Sequence, residues 1–317
     1  MRRAALIFNP NAGRGGGARR TAVERAADVL LDRGVEVEII ATRGPGTAVE
    51  QAIEAVRLGA DLVLACGGDG TLHEVIQGLA HHPSAMAGIV PLGSANALAR
   101  HLRLSFDPAT AVRQQLRFQP RLIPLGRVTC ETPEGQRSRY FAVMAGAGPD
   151  GMLVYRMLAK GKQRLGRSMY YVRAARLFLR ENFDAFHVDA TLADGKSVER
   201  EAVSAMAIRV GDLGGLFSPL VRGASPCDPT LQLTITQPPH HLALPAWFAT
   251  SWTRTHRWNP YTQHLRVQAF HCLSAEQRVH VQADGEWIGT TPMKVELVPG
   301  ALRLLMPKPR PTSQTAR

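Results

Sequence analysis

The sequence predicts an α/β fold in two parts: an N-terminal three-layer domain built on a parallel sheet, then a C-terminal domain that is mainly an antiparallel β-sandwich. Residues 1–125 alternate short apolar runs with longer helical patterns, which is typical of a parallel sheet covered on both faces. Residues 126–306 contain many short strand-like runs between turn signals. The tail, 307–317, is polar, basic and rich in proline, so we expect it to be disordered.

In the first domain, apolar runs predict four strands, at residues 4–9, 35–41, 61–66 and 88–93. Small and aliphatic residues at helical spacing predict a helix over 18–33, and Gly34 ends it. A second helix is predicted over 47–58, with Thr47 as its N-cap. Further helical patterns begin directly after the third and fourth strands.

In the second domain, strand-like runs occupy residues 125–130, 139–146, 187–192, 203–210, 231–237, 265–270, 278–284, 293–300 and 302–307. The pair Asp194-Gly195 is typical of a hairpin turn. Helical interruptions are expected over 152–182 and 243–254.

Composition limits the classes of protein that fit. Of the 317 residues, 45% are hydrophobic and 20% are charged, which is ordinary for a folded chain with a core. The formal net charge of +12 favours anionic partners such as nucleotides or membrane surfaces, although it also fits a basic protein without such a partner. Scattered cysteines argue against a zinc ribbon or a disulfide framework. Because no apolar run is long enough to span a bilayer, we expect a cytoplasmic protein whose membrane contact is peripheral.

The most specific motif is GGDGT, which follows the third predicted strand. Gly67, Gly68 and Gly70 let backbone amides approach an anion, and Thr71 is placed to cap the helix that follows. A carboxylate facing phosphate is repulsive, so Asp69 needs a cation or an acceptor proton to act upon. The alternative is that Asp69 only tightens the turn.

Two other strand ends carry similar loops. The sequence PLGSANALA follows the fourth strand, and its Ser94 and Asn96 can reach the edge where open α/β sheets bind ligands. The loop after the first strand, NPNAGRGGG, is a weak dinucleotide fingerprint in which Glu36 or Glu38 would contact a ribose. That loop leaves an NAD(P)-binding oxidoreductase open as an alternative.

Taken together, NPNAG (9–13), GGDGTLHEVIQGL (67–79), PLGSANALA (91–99) and DGEWIGTTPMKVELVPGALRLLMP (284–307) resemble the signature elements of the diacylglycerol kinase catalytic family. That family includes bacterial lipid kinases and the sphingosine and ceramide kinases, and it is related in fold to NAD kinases. The resemblance covers nearly the whole chain. It implies transfer of the γ-phosphate of ATP, with Mg²⁺, to a lipid hydroxyl, and NAD kinase activity is the alternative within the superfamily.

The resemblance also implies roles for individual residues. Glu286 stands at the position usually assigned as proton acceptor, Asp284 is its acidic neighbour, and Asp69 would act on magnesium or on the acceptor hydroxyl. The residues expected to hold the nucleotide are Asn9, Pro10, Asn11, Ala12, Gly13, Thr42, Gly67, Gly68, Asp69, Gly70, Thr71, Leu72, His73, Ser94 and Asn96.

Some family members hold a structural magnesium ion in the second domain. By alignment, its ligands here would be the Asp228 carboxylate with the carbonyls of Ser225 and Thr230. Pro229 follows Asp228 where the family usually has glycine, and this substitution argues against the ion.

The acceptor is less narrowly defined. His73 and the Gly93-Ser94 pair resemble the sphingosine and ceramide kinase versions of these motifs, whereas the whole pattern fits a glycerolipid kinase equally well. We expect a lipid substrate at an anionic membrane surface, leave a homodimer open, and expect no nucleic-acid partner.

A basic stretch at 156–180 and an aromatic cluster at 243–261 fit either membrane contact or packing. The histidines of the second domain lack metal-ligand spacing.

Overall fold

A computed structural model describes residues 1–11, 16–159, 177, 183–211, 223–237, 261–274 and 278–308. Within these residues, the first domain has four strands: β1 (Arg3–Phe8), β2 (Glu36–Ala41), β3 (Leu62–Gly67) and β4 (Met86–Pro91). Its helices are α1 (Gly16–Leu31), α2 (Thr47–Arg57), α3 (Asp69–Leu79), α4 (Ala97–His101) and α5 (Pro108–Gln115). The predicted alternation of strands and helices is confirmed, and the element ends lie within two residues of the predicted ones wherever both were given.

The four strands are parallel and lie in the order β2-β1-β3-β4. Successive side chains of β1 divide between two cores, because side chains alternate across a strand. Ala5 and Ile7 pack with α2 and α3, whereas Leu6 and Phe8 pack with α1 and α5. The sheet is therefore the middle layer of three.

The second domain is an antiparallel β-sandwich with a single described helix, α6 (Pro149–Ala159). Its strands are β5 (Gln119–Thr132), β6 (Gly135–Phe141), β7 (Met144–Ala147), β8 (Phe186–Leu192), β9 (Ser197–Ala202), β10 (Ser204–Ile208), β11 (Leu231–Thr236), β12 (Thr262–Leu273), β13 (His280–Ala283) and β14 (Glu286–Met306). A separate apolar core contains Phe186 and Phe270. The predicted turn at Asp194-Gly195 joins β8 to β9, and Gly195 has a φ of +86°.

Strand β14 connects the parallel strands of the first domain to the antiparallel strands of the second. It pairs with β13 at its start, with β5 along most of its length, and with β4 through Leu304 and Ala87 near its end. The prediction of two strands at 293–300 and 302–307 is wrong, because Pro299-Gly300 forms a bulge instead of a turn. Gly300 has a φ of +59°, and the β5–β14 register shifts there. A division of the chain at residue 125 stays a prediction.

The predicted strand at 139–146 is also wrong, because it is broken between β6 and β7. The backbone amides of Ala142, Val143 and Met144 turn out of the ladder and donate to the side chain of Asp284. This break brings an acidic turn of the second domain against the first domain.

Thr47 is not the N-cap of α2. Gly46 occupies the cap position, and the Glu74 carboxylate of α3 accepts hydrogen bonds from the amides of Gly46 (2.9 Å) and Ala48 (3.1 Å). Glu74 thus caps a neighbouring helix, and it fixes α3 against α2.

Several predictions fall on residues outside the described set. They include most of the basic stretch 156–180, most of the aromatic cluster 243–261 and nearly all of the tail 307–317. In the part of the chain that is described, no helix is both long and apolar enough to cross a membrane.

Candidate active site

The glycine loops of the first domain meet at one edge of the sheet. Strands β3 and β4 are parallel neighbours that end at Gly67 and Pro91, and these two residues pair in register. The loops that follow therefore leave the sheet side by side, at the edge where open α/β sheets bind ligands.

Close contacts explain two of the glycines. A Cβ atom on Gly93 would lie 2.3 Å from the Cα of Gly68, so any side chain there would force the loops apart. A Cβ atom on Gly67 would lie 2.4 Å from the Thr71 hydroxyl oxygen. The predicted capping role of Thr71 is wrong, because α3 begins earlier, at Asp69, with Gly68 as its N-cap. Thr71 instead lies in the first turn and covers Gly67.

The start of α3 presents backbone amides to the loop edge. The first amide to donate back into the helix is that of Leu72, which bonds the Gly68 carbonyl (3.1 Å). The amides of Gly70 and Thr71 precede it and have no acceptor within the helix. This helix end can accept an anion such as phosphate.

Asp69 joins the two loops. Its Oδ1 accepts from the Ala97 amide (2.7 Å) and its Oδ2 from the Asn96 amide (2.8 Å), at the start of α4. Burial raises the pKa of the Asp69 carboxyl; the two amides lower it and the negative charge of Asp284 raises it further. The sequence could not show that these amides stabilise the carboxylate, since the contact joins residues that are far apart in the chain.

Asn96 shapes its own loop. It has a left-handed backbone (φ 51°), and its side chain bonds both the amide (3.1 Å) and the carbonyl (2.7 Å) of Gly93. Ser94 is exposed beside it. The side chain of Asn9 accepts a hydrogen bond from the Asn11 amide (2.9 Å). Thr42 directly follows β2, is buried, and donates its amide to the Phe8 carbonyl.

Of the remaining predicted nucleotide-binding residues, Ala12 and Gly13 lie outside the described set. Pro10 follows β1 at the same sheet edge, and Leu72 is buried in the core. Direct contact between any of these residues and a nucleotide stays a prediction.

Asp284 is held by the second domain. Its Oδ1 accepts from the amides of Val143 (2.9 Å) and Met144 (3.0 Å), and its Oδ2 accepts from that of Ala142 (2.9 Å). The His73 Nδ1 lies 3.4 Å from the same Oδ2. A carboxylate offers about four lone-pair sites, so Asp284 has none left for a metal ion.

His73 lies between the domains and is 2% exposed. Burial alone lowers the pKa of its imidazole, but the contact with Asp284 and the charges of Asp284 and Glu286 outweigh burial, so the pKa is raised. Among the described residues, the buried His73 Nε2 has no hydrogen-bond partner. The paired imidazole therefore links the GGDGT helix to the acidic turn.

Glu286 differs from both aspartates because its side chain is exposed. Its Oε1 lies only 3.4 Å from the position a Cβ atom of Gly70 would take, beside the start of α3. Within the described part of the chain, no hydrogen bond or ion pair holds this carboxylate. The structure therefore brings Asp69, Asp284 and Glu286 to one cleft, and only Glu286 is unengaged there.

Sequence reasoning missed a further contact across the cleft. Gln77 of α3 donates to the Tyr140 carbonyl (2.8 Å) and accepts from the Tyr140 amide (2.9 Å). His81 Nε2 also lies 2.7 Å from the Tyr140 hydroxyl. The spacing of His73 and Gln77, which places both on one face of α3, was the one signal in the sequence for this contact, and His81 lies beyond the end of the helix.

The acidic groups fit a magnesium ion that takes most of its ligands from phosphate and water. Such a site needs one or two protein carboxylates. Asp69 keeps lone pairs beyond those its amide bonds use, and Glu286 is unengaged. The described residues contain no cluster of three or more His, Cys, Asp or Glu side chains able to hold a metal ion unaided.

The predicted structural magnesium site does not fit. The Thr230 carbonyl accepts from Nη1 of Arg209 (3.2 Å), and the Ser225 carbonyl accepts from the Asp228 amide (3.0 Å). The Asp228 Oδ2 in turn accepts from the Ser225 amide (2.9 Å). Of the three predicted ligand atoms, the Thr230 carbonyl thus bonds a guanidinium group, and the other two bond backbone amides of the same loop.

Comparison with known proteins assigns both halves of the chain. A family model described as the diacylglycerol kinase catalytic domain matches residues 3–128. A model described as the YegS C-terminal NAD kinase beta sandwich-like domain matches residues 143–306. The fold is thus that of NAD kinase-like two-domain proteins.

Similar proteins cover nearly the full length. The chain is 28% identical over 319 residues to a diacylglycerol kinase of Bacillus subtilis, with 97% of each covered. It is 25% identical over 296 residues to one from Staphylococcus carnosus, with 92% of this chain and 90% of the relative covered. The chain belongs to the family of the YegS C-terminal NAD kinase beta sandwich-like domain, whose model matches more than half of it, and its residues 3–128 match the diacylglycerol kinase catalytic domain.

Two solved structures share the fold. A diacylglycerol kinase from Bacillus anthracis superposes with a TM-score of 0.71 at 22% identity, covering 97% of each chain. Yeast NADH kinase complexed with NADH superposes with a TM-score of 0.53 at 11% identity, covering 100% of this chain and 89% of the other.

Proposed function

We propose that this protein is an ATP-dependent lipid kinase that transfers the γ-phosphate to a lipid hydroxyl. Its curated relatives are named diacylglycerol kinases and span almost the same length. Diacylglycerol or a related glycerolipid is the first candidate acceptor, and a sphingoid base is the second because of His73 and Ser94.

The observation that carries the proposal is the unengaged carboxylate of Glu286 beside the amide-rich start of α3. Phosphoryl transfer requires the acceptor oxygen and the phosphate to be positioned, with a group nearby to take the hydroxyl proton. Asp69 and Asp284 are bound by backbone amides, so each serves first to hold the cleft in shape.

The chemistry follows from that arrangement. Amides of Gly70 and Thr71 hold nucleotide phosphate oxygens at the start of α3. The lipid oxygen forms a bond to the γ-phosphorus while the bond from that phosphorus to the β–γ bridging oxygen breaks, and Glu286 accepts the proton. Magnesium, when bound, neutralises charge on the phosphates, and Asp69 and Glu286 are the residues able to contact it.

A peripheral membrane site in the cytoplasm completes the proposal. The net charge of +12 favours an anionic surface, where each nearby Lys or Arg contributes about 1 kcal/mol. Flotation with phosphatidylglycerol vesicles at low and high salt tests this; binding that does not weaken with salt would remove electrostatics from the account. Sedimentation equilibrium tests the homodimer.

The activity is tested with labelled ATP and a panel of diacylglycerol, sphingosine, ceramide and phosphatidylglycerol, read by chromatography. We expect label in one lipid product. Label in NADP after addition of NAD would favour an NAD kinase, and oxidation of reduced nicotinamide without ATP turnover would favour an oxidoreductase.

A further inference from the structure

Arg209 is a buried arginine in the second domain. It directly follows β10, is 1% exposed, and is among the largest fully buried side chains. Its own amide donates to the Val143 carbonyl (2.8 Å). A buried charge is strongly unfavourable unless its donors are satisfied, so the environment of this guanidinium must supply acceptors.

Among the described residues, those acceptors are main-chain carbonyl oxygens. Nη1 donates to the carbonyls of Asp228 (3.1 Å) and Thr230 (3.2 Å), and Nη2 donates to those of Pro124 (3.1 Å) and Pro226. Rings of carbonyl oxygens with a carboxylate nearby are the ligands that hard cations prefer. We call these four carbonyls the carbonyl cage.

The side chain is a cation in this environment, because an arginine guanidinium stays protonated at neutral pH. A divalent ion placed among the same carbonyls would meet this positive charge at close range and be repelled.

The carbonyl cage also joins separate segments. Pro124 lies in β5, which pairs with β14, while residues 226–230 lead into β11. One side chain therefore fixes the loop before β11 to β5, the strand that pairs with β14.

We propose that the Arg209 guanidinium is a built-in cation that organises the 223–230 loop, in place of the divalent metal ion that the family resemblance implies. The fold of the second domain then needs no metal at this loop. Removing the side chain leaves a set of carbonyls that can accept a small external guanidinium ion.

The first test uses the native full-length chain without nucleotide. Thermal unfolding is recorded in EDTA and in excess Mg²⁺ or Ca²⁺, for the native protein and for Asp228→Asn. A metal bound well above its Kd would raise Tm by several degrees. The proposal predicts no change in the native protein, or a change that Asp228→Asn leaves intact. A loss of Tm in EDTA that Asp228→Asn abolishes would overturn it.

The second test removes the guanidinium. Arg209→Ala should lower Tm by about 10 °C, whereas Arg266→Ala, on the exposed part of β12, should lower it little. Ethylguanidinium at a non-denaturing concentration should restore part of the loss in Arg209→Ala, and ethylammonium chloride at equal ionic strength should not. An unchanged Tm, or equal rescue by both salts, would contradict the proposal. If Arg209→Ala does not fold, Arg209→Lys takes its place, and the EDTA comparison stands unaltered.

Discussion

The GGDGT loop and the DGE turn face each other across the cleft, and each carries an aspartate whose oxygens accept backbone amides. Asp69 takes the amides of Asn96 and Ala97 within the first domain. Asp284 takes the amides of residues 142–144 within the second. The turn differs from the loop because it adds Glu286, which is exposed and unengaged among the described residues.

The difference teaches that acidic residues of one cleft can have separate tasks. A carboxylate bound by amides of another segment determines the shape of a loop, and its loss is felt first in stability. A carboxylate without partners contributes little to the fold and is available for proton transfer. The following substitutions separate the two tasks.

The largest effect is expected from Glu286→Gln. Removing the proton acceptor should lower turnover by about 10²–10⁴-fold, while the free energy of unfolding stays close to that of the native protein. Labelled-phosphate transfer and urea unfolding measure the two quantities. Glu199→Gln, on the exposed side of β9, is the matched control. A large loss of stability in Glu286→Gln would show that Glu286, like the two aspartates, holds the cleft in shape.

Asp284→Asn should mainly affect stability. The new amide group would face the Ala142 amide and His73 in place of an oxygen, so we expect a loss of about 3 kcal/mol in the free energy of unfolding. The backbone is not the cause, because asparagine tolerates the left-handed conformation (φ 48°) as well as aspartate does. Urea unfolding measures the loss, with Asp189→Asn, at an exposed position of β8, as control. Native-like stability would show that these amides do not need the carboxylate.

Strand–helix order, the parallel sheet and the glycine loops could be predicted, because they follow from local periodicity and from residues with special backbone freedom. The partners of Asp69 and Asp284 could not, since each contact joins segments far apart in the chain. Arg209 left one usable signal, a lone arginine at the end of the apolar run 203–210. In the sequence, Pro299-Gly300 resembles a turn, because proline and glycine favour both turns and bulges.

Asp69→Asn should cost less than Asp284→Asn. One oxygen still accepts the Ala97 amide, and only the Asn96 amide loses its acceptor, so we expect about 1–2 kcal/mol. Chemical unfolding gives the value, and hydrogen exchange at residues 93–97 should rise. Unchanged exchange there would contradict the proposed link between the loops.

His73→Asn should have the smallest effect on the free energy of unfolding, and this effect should depend on pH. Because the pKa of His73 is raised in the folded state, its contribution is fully present below about pH 6.5, the ordinary histidine value, and is lost as the pH rises through the folded pKa. The stability difference between native protein and variant should therefore shrink with rising pH. His271→Asn, at an exposed position of β12, is the control. A difference independent of pH would exclude a charged His73–Asp284 pair.

The separation of tasks within the cleft is tested most directly by turnover of Glu286→Gln and Asp284→Asn, measured side by side and corrected for the folded fraction. Labelled ATP and diacylglycerol vesicles supply the substrates for both. The account predicts that turnover of Glu286→Gln is at least about tenfold slower than that of Asp284→Asn, although Asp284→Asn is the less stable of the two. Equal turnover, or a slower Asp284→Asn, would contradict the assignment of proton transfer to Glu286.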